Sequence, residues 1–303
     1  MYDIIVIGAG AAGMTAALYA LRNGKSVLVL ESESLGGQIA TSPRLENYPS
    51  IKEISGEQFA DNLFEQISSL GAELEIEKVE HVCKNSGIFT VKTEYNEYQS
   101  KAVILATGVK HRHIQTKSNR DDLVGKGVYY CAICDGPFYK GKEVMVIGNG
   151  NTALQYALLL SSYCSKVYVY TRKDRFSGDG RLVCMLLAKD NVEWRKEVSI
   201  VDFLGDKELT AVQYADKDGN VKTHEITGVF VAIGQIPDNK AFDNLVDLDE
   251  RGYAVATEDC RTKTEGLYVA GDCRTKAVRQ VATACSDGAI AATNACIYIE
   301  SLN

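Results

Sequence analysis

The chain opens on a short apolar run rich in β-branched residues, DIIVIG at 3–8, which reads as a buried strand. The turn GAGAAG at 8–13 leads into MTAALYALRNG at 14–24, whose composition is helical and which stops at Gly24. SVLVLES at 26–32 is the next strand. The same series returns 140 residues later, where VMVIGNGNTALQYALLLSSYCSKVYVYTR aligns without a gap on IIVIGAGAAGMTAALYALRNGKSVLVLES. A second echo follows, VILATG at 103–108 against VFVAIG at 229–234, both apolar runs that end in glycine. Near the end, GLYVAGDC at 266–273 reads as a strand and a Gly-Asp turn, and VATACSDGAIAATNACIYI after it as a helix of small residues.

This pattern predicts an α/β chain with two Rossmann-like dinucleotide-binding domains, the second inserted into the first. The expected bounds are 1–111 with 242–303 for the outer domain and 112–241 for the inserted one. An inserted domain has two linkers, and a pair of linkers makes a natural hinge.

Gly8, Gly10 and Gly13 match G-x-G-x-x-G between a strand and a helix, with the acid Glu31 at the end of the second strand. Gly8 permits the tight turn, Gly10 lets a pyrophosphate approach the backbone, and Gly13 lets helix and strand pack closely. The helix start would face the phosphates with free N–H groups and a positive dipole end. In the repeat these positions are Gly148, Gly150 and Ala153, and Glu31 is replaced by Thr171, followed by Arg172 and Lys173. An acid suits a free ribose 2′-hydroxyl, whereas basic residues suit a 2′-phosphate. The first unit therefore reads as a site for an adenine dinucleotide without the 2′-phosphate, such as FAD, and the second as one leaning toward NADPH. In the tail, Asp272 is placed to bind a ribityl or phosphate-linked hydroxyl, with Arg279 and Gln280 nearby.

Composition narrows the classes. The 303 residues carry a net charge of −7 with no basic run, which argues against nucleic acid and anionic membranes as partners. The N-terminus has no basic stretch ahead of an apolar core, so no signal peptide is expected, and no apolar segment has the length of a membrane span. Nine cysteines, mostly scattered, suit a reducing cytoplasm, and Cys83, Cys164, Cys184, Cys260, Cys273, Cys285 and Cys296 read as small packing residues.

The exception is YYCAICDG at 129–136, where Cys131 and Cys134 lie two residues apart with Asp135 behind them. Such a pair is a zinc half-site, a redox disulfide or plain packing. Zinc lacks its other ligands, since there is no second C-x-x-C and no His pair at H-x₃₋₅-H spacing. C-x-x-C spacing lowers the pKa of one thiol, as exchange chemistry requires.

The order of motifs, G-x-G-x-x-G, GGQI (36–39), ENYP (46–49), ATG (106–108), C-x-x-C-D, a second G-x-G-x-x-A and GDCRTKAVRQVATA, resembles that of the low-molecular-weight thioredoxin reductases across the whole chain. These are class II FAD-dependent pyridine nucleotide-disulfide oxidoreductases. The position of the C-x-x-C is discriminating, because the glutathione-reductase type carries its redox cysteines soon after the first glycine motif, and LGGQIATSPRLENYP has none. The resemblance implies a homodimeric enzyme that reduces the disulfide of thioredoxin. It carries FAD contacts onto Gly8, Gly10, Ala12, Gly13, Glu31, Gly37, Gln38, Asn47, Thr107, Gly108, Asp272, Arg279, Gln280 and Val281. It makes Cys131 and Cys134 the redox pair, with Cys134 next to the flavin, Cys131 the thiol that attacks thioredoxin, and Asp135 the acid/base. It also implies that the inserted domain rotates, so that disulfide and nicotinamide take turns at one flavin.

NADPH contacts map onto Gly148, Gly150, Asn151, Thr152, Ala153, Arg172 and Lys173, but here the sequence departs from the family. Three consecutive glycines become GNGNTA, and H-R-R-x-x-x-R becomes TRKDRFS, with Thr171 for His, Lys173 for Arg and Ser177 for the last Arg. Lys cannot make the bidentate fork of Arg, and losing one charge-assisted phosphate bond costs about 1.5–3 kcal/mol. Three electron donors therefore stand: NADPH with retuned binding, NADH, and reduced ferredoxin. A flavin-binding redox sensor without turnover is the alternative from another class.

Overall fold

The computed structural model describes residues 1–42 and 45–302. Along the chain the elements are β1 (Tyr2–Ile7), α1 (Ala11–Arg22), β2 (Val27–Glu31), α2 (Gly56–Ser69), β3 (Glu73–Ile76), β4 (Val79–Asn85), β5 (Ile88–Thr93) and β6 (Glu97–Leu105). Then come β7 (Val109–His111), β8 (Val128–Tyr129), the single turn α3 (Ala132–Asp135), β9 (Glu143–Ile147), α4 (Asn151–Ser161), β10 (Lys166–Tyr170) and α5 (Gly180–Leu187). Strands β11 (Val192–Arg195), β12 (Ser199–Gly205), β13 (Leu209–Ala215), β14 (Val221–Glu225), β15 (Val229–Val231), β16 (Gln235–Pro237) and β17 (Leu267–Val269) precede the last helix, α6 (Val281–Ser301). The chain divides into two compact units, Met1–Lys110 with Ile236–Asn303, and His111–Gln235. The two connections between them, β7 and β16, pair with each other as a two-stranded ribbon.

In the first unit a seven-stranded sheet runs β3-β2-β1-β6-β5-β4, and β17 pairs with β6. Strands β3, β2, β1, β6 and β17 are mutually parallel, while β4 and β5 are antiparallel additions. The nine residues of β6 serve two neighbours, its first half facing β5 and its second half facing β17. The central strands are buried on both faces, as their unbroken apolar runs require. One face packs on α1, α2 and α6, and the other on β4, β5 and the segment around Phe242–Ala254. Helices α1 and α6 approach closely because Gly288 lacks a Cβ, which would stand 2.2 Å from the Ala12 carbonyl oxygen.

The second unit repeats the plan. Its parallel sheet is β11-β10-β9-β15-β8, so β9 lies between β10 and β15 as β1 lies between β2 and β6. The offset of 140 holds in three dimensions: β9, α4 and β10 stand where β1, α1 and β2 stand in the first unit. VILATG and VFVAIG supply β6 and β15, each beside the glycine-motif strand. A three-stranded antiparallel sheet, β12-β13-β14, completes the unit. No helix among the described residues is long and apolar enough to cross a membrane.

Candidate active site

In the first unit the strand β1 ends at Gly8, whose φ of +108° lies in the left-handed region. A Cβ at Gly8 would stand 2.3 Å from the Ala106 oxygen, and one at Gly13 would stand 1.8 Å from the Gly8 oxygen. Both glycines are thus required by packing. Gly10 is not: a Cβ there would meet only the Gly36 oxygen at 3.8 Å, an ordinary contact. The space above its backbone is left for something other than protein. No side chain caps α1, whose N-cap is Gly10, so its first N–H groups are available to an anion. Ala12, which follows, is buried beneath α6.

Glu31 sits at the end of β2, as the pattern predicts, and it braces the glycine turn. Its Oε2 accepts from the Ala9 N–H at 2.7 Å, and its Oε1 accepts from the N–H groups of Ser32 and Glu33 at 2.8 and 3.0 Å. The carboxylate therefore ties the glycine turn to the end of β2 while keeping lone pairs free. Gly36 donates its N–H to the Ala9 oxygen at 2.9 Å, which brings Gly37 against Gly10. The Gln38 amide donates to the Val109 carbonyl oxygen.

The remaining first-unit residues converge from distant segments. The Asn47 amide donates to Gln280 Oε1 at 2.9 Å. Gln280 is the N-cap of α6, in a reciprocal capping box with Thr283, and Val281 opens the helix. Arg279 spreads its guanidinium over the carbonyl oxygens of Asp272, Arg274 and Lys276, each at 3.2 Å, with Tyr253 beneath it. Asp272 is half-buried, and its Oδ1, shielded from solvent, has no hydrogen-bond partner among the described residues. Burial pushes its carboxyl up to about 6, against the pull of Lys276 and Arg279. A buried acceptor without a partner costs about 1–3 kcal/mol, which a ligand hydroxyl would recover. Thr107 donates its hydroxyl to Asn239, and Gly108, at φ +66°, has no side chain or backbone within 4 Å of where its Cβ would be. The open face at Gly10, the uncapped α1 and the partnerless Asp272 together fit a dinucleotide with a pyrophosphate and a polyol, as FAD has.

Three residues here escaped the sequence reading. Asp287 on α6 accepts from the Gly271 N–H at 3.0 Å and from Arg274 and Lys276 at 2.8 Å. Burial alone would raise this carboxyl, and the two cations outweigh burial and hold it below its ordinary value. It anchors the turn that carries Asp272. Arg274 is buried with it. Asn239 is treated below. Of these, only Asp287 carries a local sequence signal, as the one acid in α6 before Glu300.

In the second unit Cys131 and Cys134 are joined by a disulfide across the turn α3. Cys131 is the N-cap of that turn, and its Sγ accepts from the Cys134 N–H at 3.2 Å. Asp135 is 6% exposed, and its Oδ1 has no hydrogen-bond partner among the described residues. Burial pushes its carboxyl from an ordinary 3.8 up to about 7. An acid of that pKa beside a disulfide is poised to hold a proton at neutral pH and to release it. Tyr156 on α4 donates its hydroxyl to the Tyr130 carbonyl oxygen at 3.1 Å and so fixes the peptide that leads into Cys131.

The second glycine motif keeps the logic of the first. Gly148, at φ +148°, would put a Cβ 2.3 Å from the Ala232 oxygen, the counterpart of Gly8 and Ala106. A Cβ at Gly150 would meet nothing within 4 Å. Ala153 is buried, and α4 stands far enough off to admit its methyl group. Asn151 accepts the Asp179 N–H at 2.6 Å, and Thr152 is exposed beside it. Ser177 donates its N–H to the Asn149 oxygen at 2.8 Å, as Gly36 does to Ala9 in the first unit. At the ribose end, Thr171 is fully buried. Its hydroxyl accepts from the Trp194 indole at 2.9 Å and donates to the Lys173 carbonyl oxygen at 2.8 Å. Arg172 and Lys173, which follow it, are both exposed.

Two Rossmann-like units, one presenting an uncapped glycine turn and a partnerless aspartate, the other a disulfide beside a buried acid, define a dinucleotide-dependent disulfide oxidoreductase. The chain matches the family described as pyridine nucleotide-disulphide oxidoreductase over residues 2–288, and it belongs to that family, in its thioredoxin reductase branch. Thioredoxin reductases of Listeria innocua serovar 6a and Bacillus subtilis are each 36% identical to it over 304 residues, covering 100% of this chain and 95% and 96% of theirs. Among solved structures, the thioredoxin reductase of Streptococcus pyogenes superposes with a TM-score of 0.95 at 33% identity, covering 99% of both chains.

Proposed function

We propose that this chain is a thioredoxin reductase that holds FAD in its first unit and passes two electrons through Cys131 and Cys134 to the disulfide of a thioredoxin. The observation that carries this reading is the Cys131–Cys134 disulfide followed directly by a buried, partnerless Asp135. FAD, when bound, supplies a carrier that accepts two electrons from a donor and yields them to a disulfide. Gly10 and the start of α1 would hold its pyrophosphate, Glu31 its ribose and Asp272 its polyol chain, with Gly37, Gln38, Asn47, Thr107, Gly108, Arg279, Gln280 and Val281 around it.

Opening the disulfide to a thiol on Cys134 and a thiolate on Cys131 takes two electrons and one proton, and Asp135 takes that proton back when Cys134 later attacks. Asp135 supplies a proton to the Cys134 sulfur, and the Cys134 N–H stabilises negative charge on Cys131 Sγ. Cys131 Sγ then attacks one sulfur of the thioredoxin disulfide, forming a mixed disulfide and releasing one thioredoxin thiol. Cys134 Sγ attacks Cys131 Sγ, which frees the second thioredoxin thiol and restores the starting bond. The half-exposed flank of the pair, with Ile133 49% exposed between the cysteines, leaves this sulfur within reach of a protein partner. The enzyme is proposed to act as a cytoplasmic homodimer.

The proposed donor is NADPH, bound at Gly148, Gly150, Asn151, Thr152 and Ala153, with its 2′-phosphate at Arg172 and Lys173. The open face at Gly150 supports a nucleotide there. In a second reading the alternative donors are NADH and reduced ferredoxin; the Thr171 hydroxyl, engaged on both sides, is withdrawn from a ribose, which speaks for ferredoxin rather than for NADH between these two. Anaerobic stopped-flow mixing separates the two readings. Micromolar NADPH bleaches the bound flavin under the first reading; flavin that stays oxidised with NADPH but bleaches with NADH or reduced ferredoxin establishes the second.

A further inference from the structure

Asn239 is 0% exposed, and a buried amide with every polar atom engaged is held in one orientation. Its Nδ2 donates to the Cys273 carbonyl oxygen at 2.7 Å and to the Gly252 carbonyl oxygen at 3.0 Å. Its Oδ1 accepts from the Thr107 hydroxyl at 3.1 Å. Three segments far apart in sequence therefore meet at one side chain: the end of β6, the turn before Tyr253, and the 271–273 turn. A second link closes the figure, because the buried Cys273 thiol donates to the carbonyl oxygens of Leu105, the last residue of β6, at 3.7 Å and of Ala270 at 3.3 Å. Thr107 and Asp272 are two of the residues proposed to touch FAD, and Cys273 is joined to Asp272. Asn239 itself touches neither the uncapped glycine turn nor the partnerless Asp272 carboxylate through any of these bonds. It lies two residues beyond β16, the strand by which the chain returns to the first unit.

We propose that Asn239 is a positioning residue for the flavin site: it sets Thr107 and the Asp272 turn at a fixed separation and ties the return strand β16 to whether that site is filled. The inference rests on the reading that the first unit binds FAD. Its physical content is a shared constraint. Filling the site orders Thr107 and the 271–273 turn, and both are bonded to the side chain whose backbone continues β16, so ordering at one end restricts the other.

The test uses the full-length protein, stripped of flavin and titrated with FAD by fluorescence quenching, with hydrogen exchange read on a peptide spanning 235–242 with and without FAD. Wild type is expected to bind FAD and to slow exchange in that peptide. Asn239→Ala is expected to bind FAD about tenfold more weakly or worse, the effect of losing one or more bonds that align the site, and to lose the exchange response. Asn191→Ala is the control, since Asn191 also donates to two carbonyl oxygens, those of Ser161 and Cys164, but in the second unit. It is expected to keep the FAD affinity within about twofold and the exchange response intact. Should Asn239→Ala fail to fold, Asn239→Ser is read in the same way. Equal FAD affinity in wild type and the Asn239 variant, or an unchanged exchange response, overturns the proposal. A wild-type apoprotein that binds no FAD refutes the underlying reading instead.

Discussion

Asp135 is the residue at which burial and chemistry are most directly linked. A carboxyl held at about 7 is protonated below that pH, so the proton-dependent opening of the disulfide weakens as pH rises through 7. Asp135→Asn is expected to lower turnover by about 10²- to 10⁴-fold and to remove this pH dependence. Stability moves the other way. The native state binds a proton more tightly than the unfolded chain, so Asp135 destabilises the fold increasingly from pH 4 to 7 and fully above. Moving from 3.8 to about 7 amounts to at most about 4 kcal/mol, so Asp135→Asn is expected to melt higher than wild type at pH 8 and level with it near pH 3. Thermal scans at the two pH values check the sign. At the nucleotide end, Arg172→Ala with Lys173→Ala is expected to raise the KM for NADPH about ten- to a hundredfold with little change in kcat, and to leave that for NADH nearly unchanged. The thiols and Asp135 were legible because they are contiguous. Asn239, Asp287 and Tyr156 were not, because their partners lie in segments distant in sequence and no local pattern marks such meetings.

At the scale of elements, the two glycine motifs separate packing from binding. Gly13→Ala would force a methyl group to within 1.8 Å of the Gly8 oxygen, so it is expected to destabilise the apoprotein by about 1–3 kcal/mol. Gly10→Ala adds a methyl group that meets no protein atom nearer than 3.8 Å, so the apoprotein is expected to melt as wild type while its FAD affinity falls at least tenfold. Calorimetry of the flavin-free proteins beside FAD titrations distinguishes the two outcomes; equal loss of stability in both variants would show Gly10 to be a packing residue as well. Strand–turn–helix periodicity made β1, α1, β2 and their repeats readable, since a β-branched run, a glycine turn and a helical stretch leave separate signatures. The antiparallel strands β12, β13 and β14 left a weaker trace. Their exposed polar positions, as in VKTHE, do not alternate cleanly, and the fold identifies them only through their pairing.

At the scale of the whole molecule, one plan appears twice, and the differences between its copies divide the labour. Sheet order β3-β2-β1-β6 in one unit is matched by β11-β10-β9-β15 in the other. Glu31 ends the second strand of the first copy, while Thr171, with two exposed cations behind it, follows that of the second. Seven of the nine cysteines are free, five of them buried, and Cys131 and Cys134 form the one disulfide among the described residues. The gapless repeat exposed this plan in the sequence; the donor stayed open because the residues that choose it are exposed side chains with no packing pattern to read. The central claim, that electrons leave through Cys131, is tested without reference to the donor. Holoenzyme reduced anaerobically with one equivalent of dithionite is mixed with excess oxidised thioredoxin, and the new thioredoxin thiols are counted. About one thioredoxin disulfide reduced per chain in wild type, and none in Cys131→Ser, is the predicted result. Thioredoxin that stays oxidised beside reduced wild-type enzyme, or equal reduction by Cys131→Ser, would contradict it.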